Sequence, residues 1–275
     1  AIGDTTIDTD NNGTRGASLN VYATTVGANS FSNGAFTTTT GTYNVISSSY
    51  TGGRFSTPTQ NFGATVNGAF NSIESTSGGS TAGVATAITG VANRVANSNG
   101  VLVYGAGNEI TNSSASFSTP GESATSAKDF ADKLKTAVTS SNGAGATMAF
   151  GGGNKADYTL RTSLIGVNNT VTGVRGDQSK DNLALGVGNT ATNVQHMTAI
   201  GSKNTVSDAK NTIIVGDNRT VTGANNTVII GSSDNGTTTA VHDAVALGHN
   251  TDVSTEGGVA LGSGSKATVA AGAVG

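Results

Sequence analysis

Two signatures recur along this chain, and both are patterns of apolar and polar positions. Over the last third, two apolar residues followed by glycine return as Leu164-Ile165-Gly166, Ala184-Leu185-Gly186, Ala199-Ile200-Gly201, Ile214-Val215-Gly216, Ile229-Ile230-Gly231, Ala246-Leu247-Gly248 and Ala260-Leu261-Gly262. Successive glycines are 20, 15, 15, 15, 17 and 14 residues apart. The second signature is Gly-x-x-Asn-x-(Val/Ile/Ala), at Asn44, Asn71, Asn93, Asn108, Asn154, Asn169, Asn189 and Asn204. Looser copies follow Gly216, Gly248 and Gly262, so the repeat runs from about residue 27 to the end. A unit of this length is too short for a helix pair or a propeller blade. It fits one coil of a β-solenoid, with two short strands and two turns. Glycine and asparagine accept the positive φ of tight turns, and Val, Ile and Thr suit strands. An asparagine at a constant place in each coil can stack on the next, which makes Asn108, Asn154, Asn169, Asn189 and Asn204 candidates for a turn ladder.

The apolar strand carries a further message. In Val245-Ala246-Leu247-Gly248 the first and third residues point one way and the second the other. The second position is nevertheless apolar in each repeat, and a strand apolar on both faces is buried on both. A thin coil buries only its inner face, so the outer face predicts a partner, most simply another copy of the chain. Ile165, Leu185, Ile200, Ile214, Val215, Ile229, Ile230, Leu247 and Leu261 are the expected core and assembly residues, and Asp at Ile214 or Ile229 is expected to disrupt assembly. The other strand, such as Thr170-Val171-Thr172, sets one apolar residue between polar ones and reads as solvent-facing.

One segment departs from the repeat. Gly105 and Gly151 are 46 residues apart, one coil plus an insert. Thr119-Pro120-Gly121-Glu122 reads as a capping box. Ala127, Phe130, Ala131, Leu134 and Val138 then follow at helical spacing, and Asn142-Gly143 ends the run. The spacing predicts a helical insert over 119–143. Val84, Ile88, Val91 and Val95 also have helical spacing, but Gly90 and Asn93 fall in coil register and favour strand. The resulting division is 1–60 irregular N-terminal coils, 61–118 coils, 119–143 insert and 144–275 regular repeats.

Composition narrows the function. Glycine supplies 40 of 275 residues, about twice its usual ~7% share. Cysteine is absent and the net charge is −3, which argues against disulfide or zinc-thiolate scaffolds and against nucleic-acid binding. No apolar run is long enough for a membrane helix. The chain opens on Ala1-Ile2-Gly3, itself the end of a repeat unit, and no signal peptide is recognisable. An internal fragment of a longer protein is expected. His196, His242 and His249 read as surface residues without a metal cluster. Gly151-Gly152-Gly153-Asn154-Lys155-Ala156-Asp157 lacks the tandem array of a calcium repeat. No nucleophile elbow, phosphate loop or dinucleotide fingerprint occurs, so neither catalysis nor a cofactor or metal is expected.

Asp243-Ala244-Val245-Ala246-Leu247-Gly248-His249-Asn250-Thr251 and Gly258-Val259-Ala260-Leu261-Gly262-Ser263-Gly264-Ser265-Lys266-Ala267 resemble the repeat of YadA-like heads of trimeric autotransporter adhesins. The match is close over 160–270 and looser over 27–160. The resemblance implies a left-handed parallel β-roll and a homotrimer on the bacterial surface, anchored in the outer membrane through a C-terminal barrel outside this sequence. It further implies attachment to a host extracellular matrix protein, a host cell or a bacterial surface receptor. The helical insert and the irregular first 60 residues depart from the simple repeat, and the family's neck and stalk are missing. Receptor contacts are expected at irregular places: Lys128, Lys133 and Lys135 on the insert, Tyr43 and Tyr50 near the N-terminus, and the turn 232–236. A trimeric phage or other fibre shares the same logic, and Thr170/Thr172, Thr190/Thr192 and Thr220/Thr222 leave a Thr-x-Thr ice-binding surface as a further alternative.

Overall fold

A computed structural model of the chain describes residues 23–48, 60–76, 81–116 and 126–269. About 50% of the structure is strand and 5% helix, arranged as a parallel β-solenoid with one helix among the described residues. The chain divides into two compact units, Ala1–Gly151 and Gly152–Gly275.

In the second unit the apolar strands stack in register. Leu164, Ala184, Ala199, Ile214, Ile229, Ala246 and Ala260 form one column, followed in each coil by the glycine row. The Thr-x-Thr strands stack likewise, aligning Val171, Ala191, Val206 and Val221. Both columns are buried. In the first unit the strands Thr38–Thr42, Thr65–Ala69, Ala87–Val91 and Leu102–Ala106 pair in the same parallel manner. Their interior partners are Ile46, Ile73, Val95 and Ile110. Ile88 and Val95 lie in strands, in keeping with coil register rather than helical spacing.

The glycine row is a steric requirement. Gly186 has φ +129, and a Cβ there would stand 1.9 Å from the carbonyl oxygen of Gly201 in the next coil. Only glycine lets adjacent backbones approach this closely.

Which face points inward differs from the sequence expectation. The pattern places Ile214 and Ile229 on the partner-facing side, yet both are buried inside their own roll. Their neighbours Ile213, Val215 and Ile230 are exposed instead. Alternation holds, but both faces are apolar, so the pattern alone does not say which is the interior.

The insert also differs. Its helix is Ala127–Ser140, shorter than the whole of 119–143. Ser126 caps it by accepting the backbone N–H of Asp129. The capping box at Thr119–Glu122 lies outside the described residues, as do the side chains of Ala127 and Phe130. Asn142 and Gly143 both adopt positive φ where the helix ends. Leu134, with Phe36 and Ala85, packs on a buried cluster of Ala35, Phe62 and Val84, so the helix leans on the first unit's coils.

Candidate functional site

Five surfaces or clusters carry chemistry in this chain. The largest is the outward face of the apolar strand in the second unit. Ile213, Val215, Ile230, Val259 and Leu261 are exposed on it, with Ile230 at 48% and Leu261 at 60%. Ile165, Leu183, Leu185, Ile200, Val228, Val245 and Leu247 on the same face are half-buried. The pairing aligns Leu183 with Thr198 and Ile213, and Leu185 with Ile200 and Val215. It then aligns Ile230 with Leu247 and Leu261. The result is a largely apolar sheet face open to water, interrupted at Thr198. Ile214 and Ile229, grouped with these residues in the sequence, belong to the interior.

The asparagines form a hydrogen-bonded row. Within the second unit Asn154, Asn169, Asn189 and Asn204 are buried, and each Oδ1 accepts the next Nδ2, at 3.1, 2.9 and 2.9 Å. Each Oδ1 also accepts the next residue's backbone N–H. Each Nδ2 donates to a glycine carbonyl one coil on, at 2.7–3.0 Å. Asn44, Asn71, Asn93 and Asn108 build the same row in the first unit. Every amide group is engaged, which is what a polar side chain needs inside a low-dielectric interior.

Arg219 takes the asparagine place after Gly216, and sequence reasoning missed it. Its side chain is among the largest buried in the structure, at 1% exposure. Nε donates to the Gly231 carbonyl at 2.7 Å and Nη1 to the Thr251 carbonyl at 2.6 Å. Nη2 donates to the carbonyls of Ser232 and Gly248 and to Thr251 Oγ1. Its backbone N–H meets Asn204 Oδ1, so it ends the ladder and reaches over two further coils. Burial pulls its pKa below the usual arginine value. The available signal was its position in the slot Gly216-Asp217-Asn218-Arg219.

Further candidates lie in turns, on the helix and on outward strand positions. Tyr43 stacks on Phe70 with centroids 5.6 Å apart and planes inclined by 17°. Tyr50 lies outside the described residues. On the helix Lys128 pairs with Asp132 and Lys133 with Asp129, both within one turn, and Lys135 is exposed. Each of these intrahelical pairs sets a carboxylate beside a lysine on the exposed side of the helix. Arg94 bridges Glu74 and Glu109, holding the Glu74 carboxyl below its ordinary range, and Arg161 does the same to Asp181. In the 232–236 turn, Asp234 accepts Asn250 Nδ2 at 2.7 Å and contacts His249 Nε2 at 3.0 Å, which lowers its pKa in that order of effect. His242 Nδ1 accepts the Asn225 backbone N–H, and His196 is exposed. Among the described residues no group of three or more His, Cys, Asp or Glu could hold a metal ion.

Thr170, Thr190, Thr205, Thr220 and Thr238 align in one outward column. In the parallel column Ser207 replaces threonine but keeps the hydroxyl contact to Thr222, at 2.8 Å.

No family model matches the chain, and no curated protein matches it.

Proposed function

We propose that this chain is the head of a homotrimeric surface adhesin, similar to YadA-like heads of trimeric autotransporters, and that it attaches a bacterium to host matrix, host cells or other bacteria. The observation that carries this reading is the outward apolar sheet face between Leu183 and Leu261. A roll already closed on its interior gains nothing from a second apolar face unless another surface covers it. Self-association of identical chains about one axis covers it on every copy. Each apolar side chain removed from water contributes about 25 cal/mol per Å², so the repeat along many coils makes a strong interface from modest contributions per coil. Three copies then present each turn three times, and weak contacts add through avidity.

Sedimentation of the chain at micromolar concentration tests the assembly, and a well-folded monomer there overturns it. Adhesion of the assembled chain to immobilised matrix proteins, host cells and bacterial cells tests the attachment. The aligned threonine column favours ice binding as a second reading, and an ice-affinity assay separates the two.

A further inference from the structure

Tyr43 and Phe70 occupy equivalent places in successive coils, each one residue before a ladder asparagine, Asn44 and Asn71. Both take φ in the left-handed region, +53 and +58. That conformation is costly for a bulky ring and costs glycine or asparagine little. Asn29, Gly107, Gly153, Asn168 and Gly188 sit at the same point of other coils with positive φ and no ring. Turn chemistry therefore does not call for the aromatics. Nor does the core, since the rings are 52% and 61% exposed. Strained side chains held outward in this way are characteristic of binding sites.

The surroundings narrow the ligand. From residue 23 to 73 the described residues include no Asp, Glu, Lys, Arg or His. The strands entering the two turns carry Thr38, Thr40, Thr65 and Asn67 on their outward face, where the second unit carries Leu, Ile and Val. A charged ligand or a nucleic acid needs counter-charge; the described residues 23–73 supply none, and Glu74 just beyond them is already paired with Arg94. A lipid or another copy of the chain would be matched by an apolar rim. Aromatic faces beside hydroxyl and amide groups, with no charge, match the C–H faces and hydroxyls of a neutral sugar.

We propose that Tyr43 and Phe70 form the stacking platform of a site for neutral, pyranose-containing glycans. This inference rests on reading the chain as an attachment head and names what one part of that head recognises.

The test uses the assembled chain on a printed panel of neutral oligosaccharides ending in glucose, galactose, mannose or N-acetylhexosamine, beside sialylated and sulfated counterparts. The variants are Tyr43→Gly and Phe70→Gly, which remove a ring and relieve the positive φ, and Tyr43→Phe, which keeps the ring. Neutral glycans are expected to bind. Either glycine variant weakens binding about tenfold or more with an unchanged or higher thermal midpoint, and Tyr43→Phe keeps most of it. Binding to no neutral glycan, preference for charged glycans, affinity indifferent to both glycine variants, or loss of the oligomer in them each overturns the platform. If the glycine variants keep adhesion to cells and matrix and neutral glycans do not bind, the platform falls and the attachment head stands. If neutral glycans bind but the head adheres to no cell or matrix, the platform stands and the attachment reading falls.

Discussion

The early coils of the first unit and the coils between Leu183 and Leu261 are alike inside and unlike on one outward face. Both bury a short apolar column, exemplified by Val66 and Ile88 in one and Ile214 and Ile229 in the other. Both run an asparagine ladder beside it. On the face that alternation leaves outside, the first carries Thr38, Thr40, Thr65, Asn67 and Thr89, whereas the second carries Leu, Ile and Val. Packing within the coil dictates the inward half of the repeat, because the space is narrow and each carbonyl and amide needs its partner in the next coil. Nothing within the coil dictates the outward half, so those positions are free to encode what the coil meets.

The strongest way to break this contrast is to put a carboxylate on either side of one strand. Ile214→Asp buries an unpaired charge, costs on the order of 3–5 kcal/mol and should melt neighbouring coils, seen as loss of the β signal in circular dichroism. Val215→Asp with Ile230→Asp should keep that signal and yield monomers in sedimentation. If both sets of variants unfold alike, the outward face is part of the core and the contrast fails. The matching change in the first unit, Thr40→Asp, should alter neither fold nor assembly.

Next in size are the ladder and its terminus. Arg219→Ala strips hydrogen bonds from four backbone carbonyls and leaves a cavity, with an expected loss of about 3–5 kcal/mol. Asn189→Ala, which removes one rung, should cost about 2–3 kcal/mol. Denaturant midpoints measured on the same preparation rank the two, and equal costs would show that Arg219 acts as an ordinary rung. Gly186→Ala sharpens the point about the shared backbone. It forces a Cβ against the Gly201 carbonyl, and about 3 kcal/mol or more should be lost.

The smallest effect is electrostatic. The carboxyls of Glu74 and Asp181 are held below their ordinary values of 4.5 and 3.8 by Arg94 and Arg161. Groups lowered in the folded state contribute stability above those values and lose it as pH falls through and below them. The pairs are part-exposed, so each should contribute under about 1 kcal/mol. Arg94→Gln should therefore lower the thermal midpoint slightly at neutral pH, and by progressively less as pH falls below about 4.5.

Much of this architecture was legible in the residues. Gly-x-x-Asn marks each turn because close backbone approach admits only glycine and a buried polar place needs an amide that bonds on both sides. The direction of the apolar strand was not legible, since residues such as Val245, Ala246 and Leu247 are apolar on both faces and alternation gives no sign. The cap at Ser126 was not singled out, because the Thr119–Glu122 pattern drew the start of the insert seven residues earlier than the helix Ala127–Ser140. Arg219 was hidden by its type, as a long charged side chain ordinarily reads as surface. The Tyr43–Phe70 stack was hidden by distance, since 27 residues separate rings that coiling brings together.

Arg219 has one more consequence, for the path by which the chain finds its fold. Near-identical coils can pair one step out of place with little loss, since each strand and each asparagine finds an equivalent neighbour. A shifted chain would set the guanidinium against the wrong turn, without the Gly231, Gly248 and Thr251 acceptors that it reaches only in the correct alignment. One irregular residue thus works as a key in an otherwise degenerate stack. It widens the energy gap between the native threading and its slipped copies.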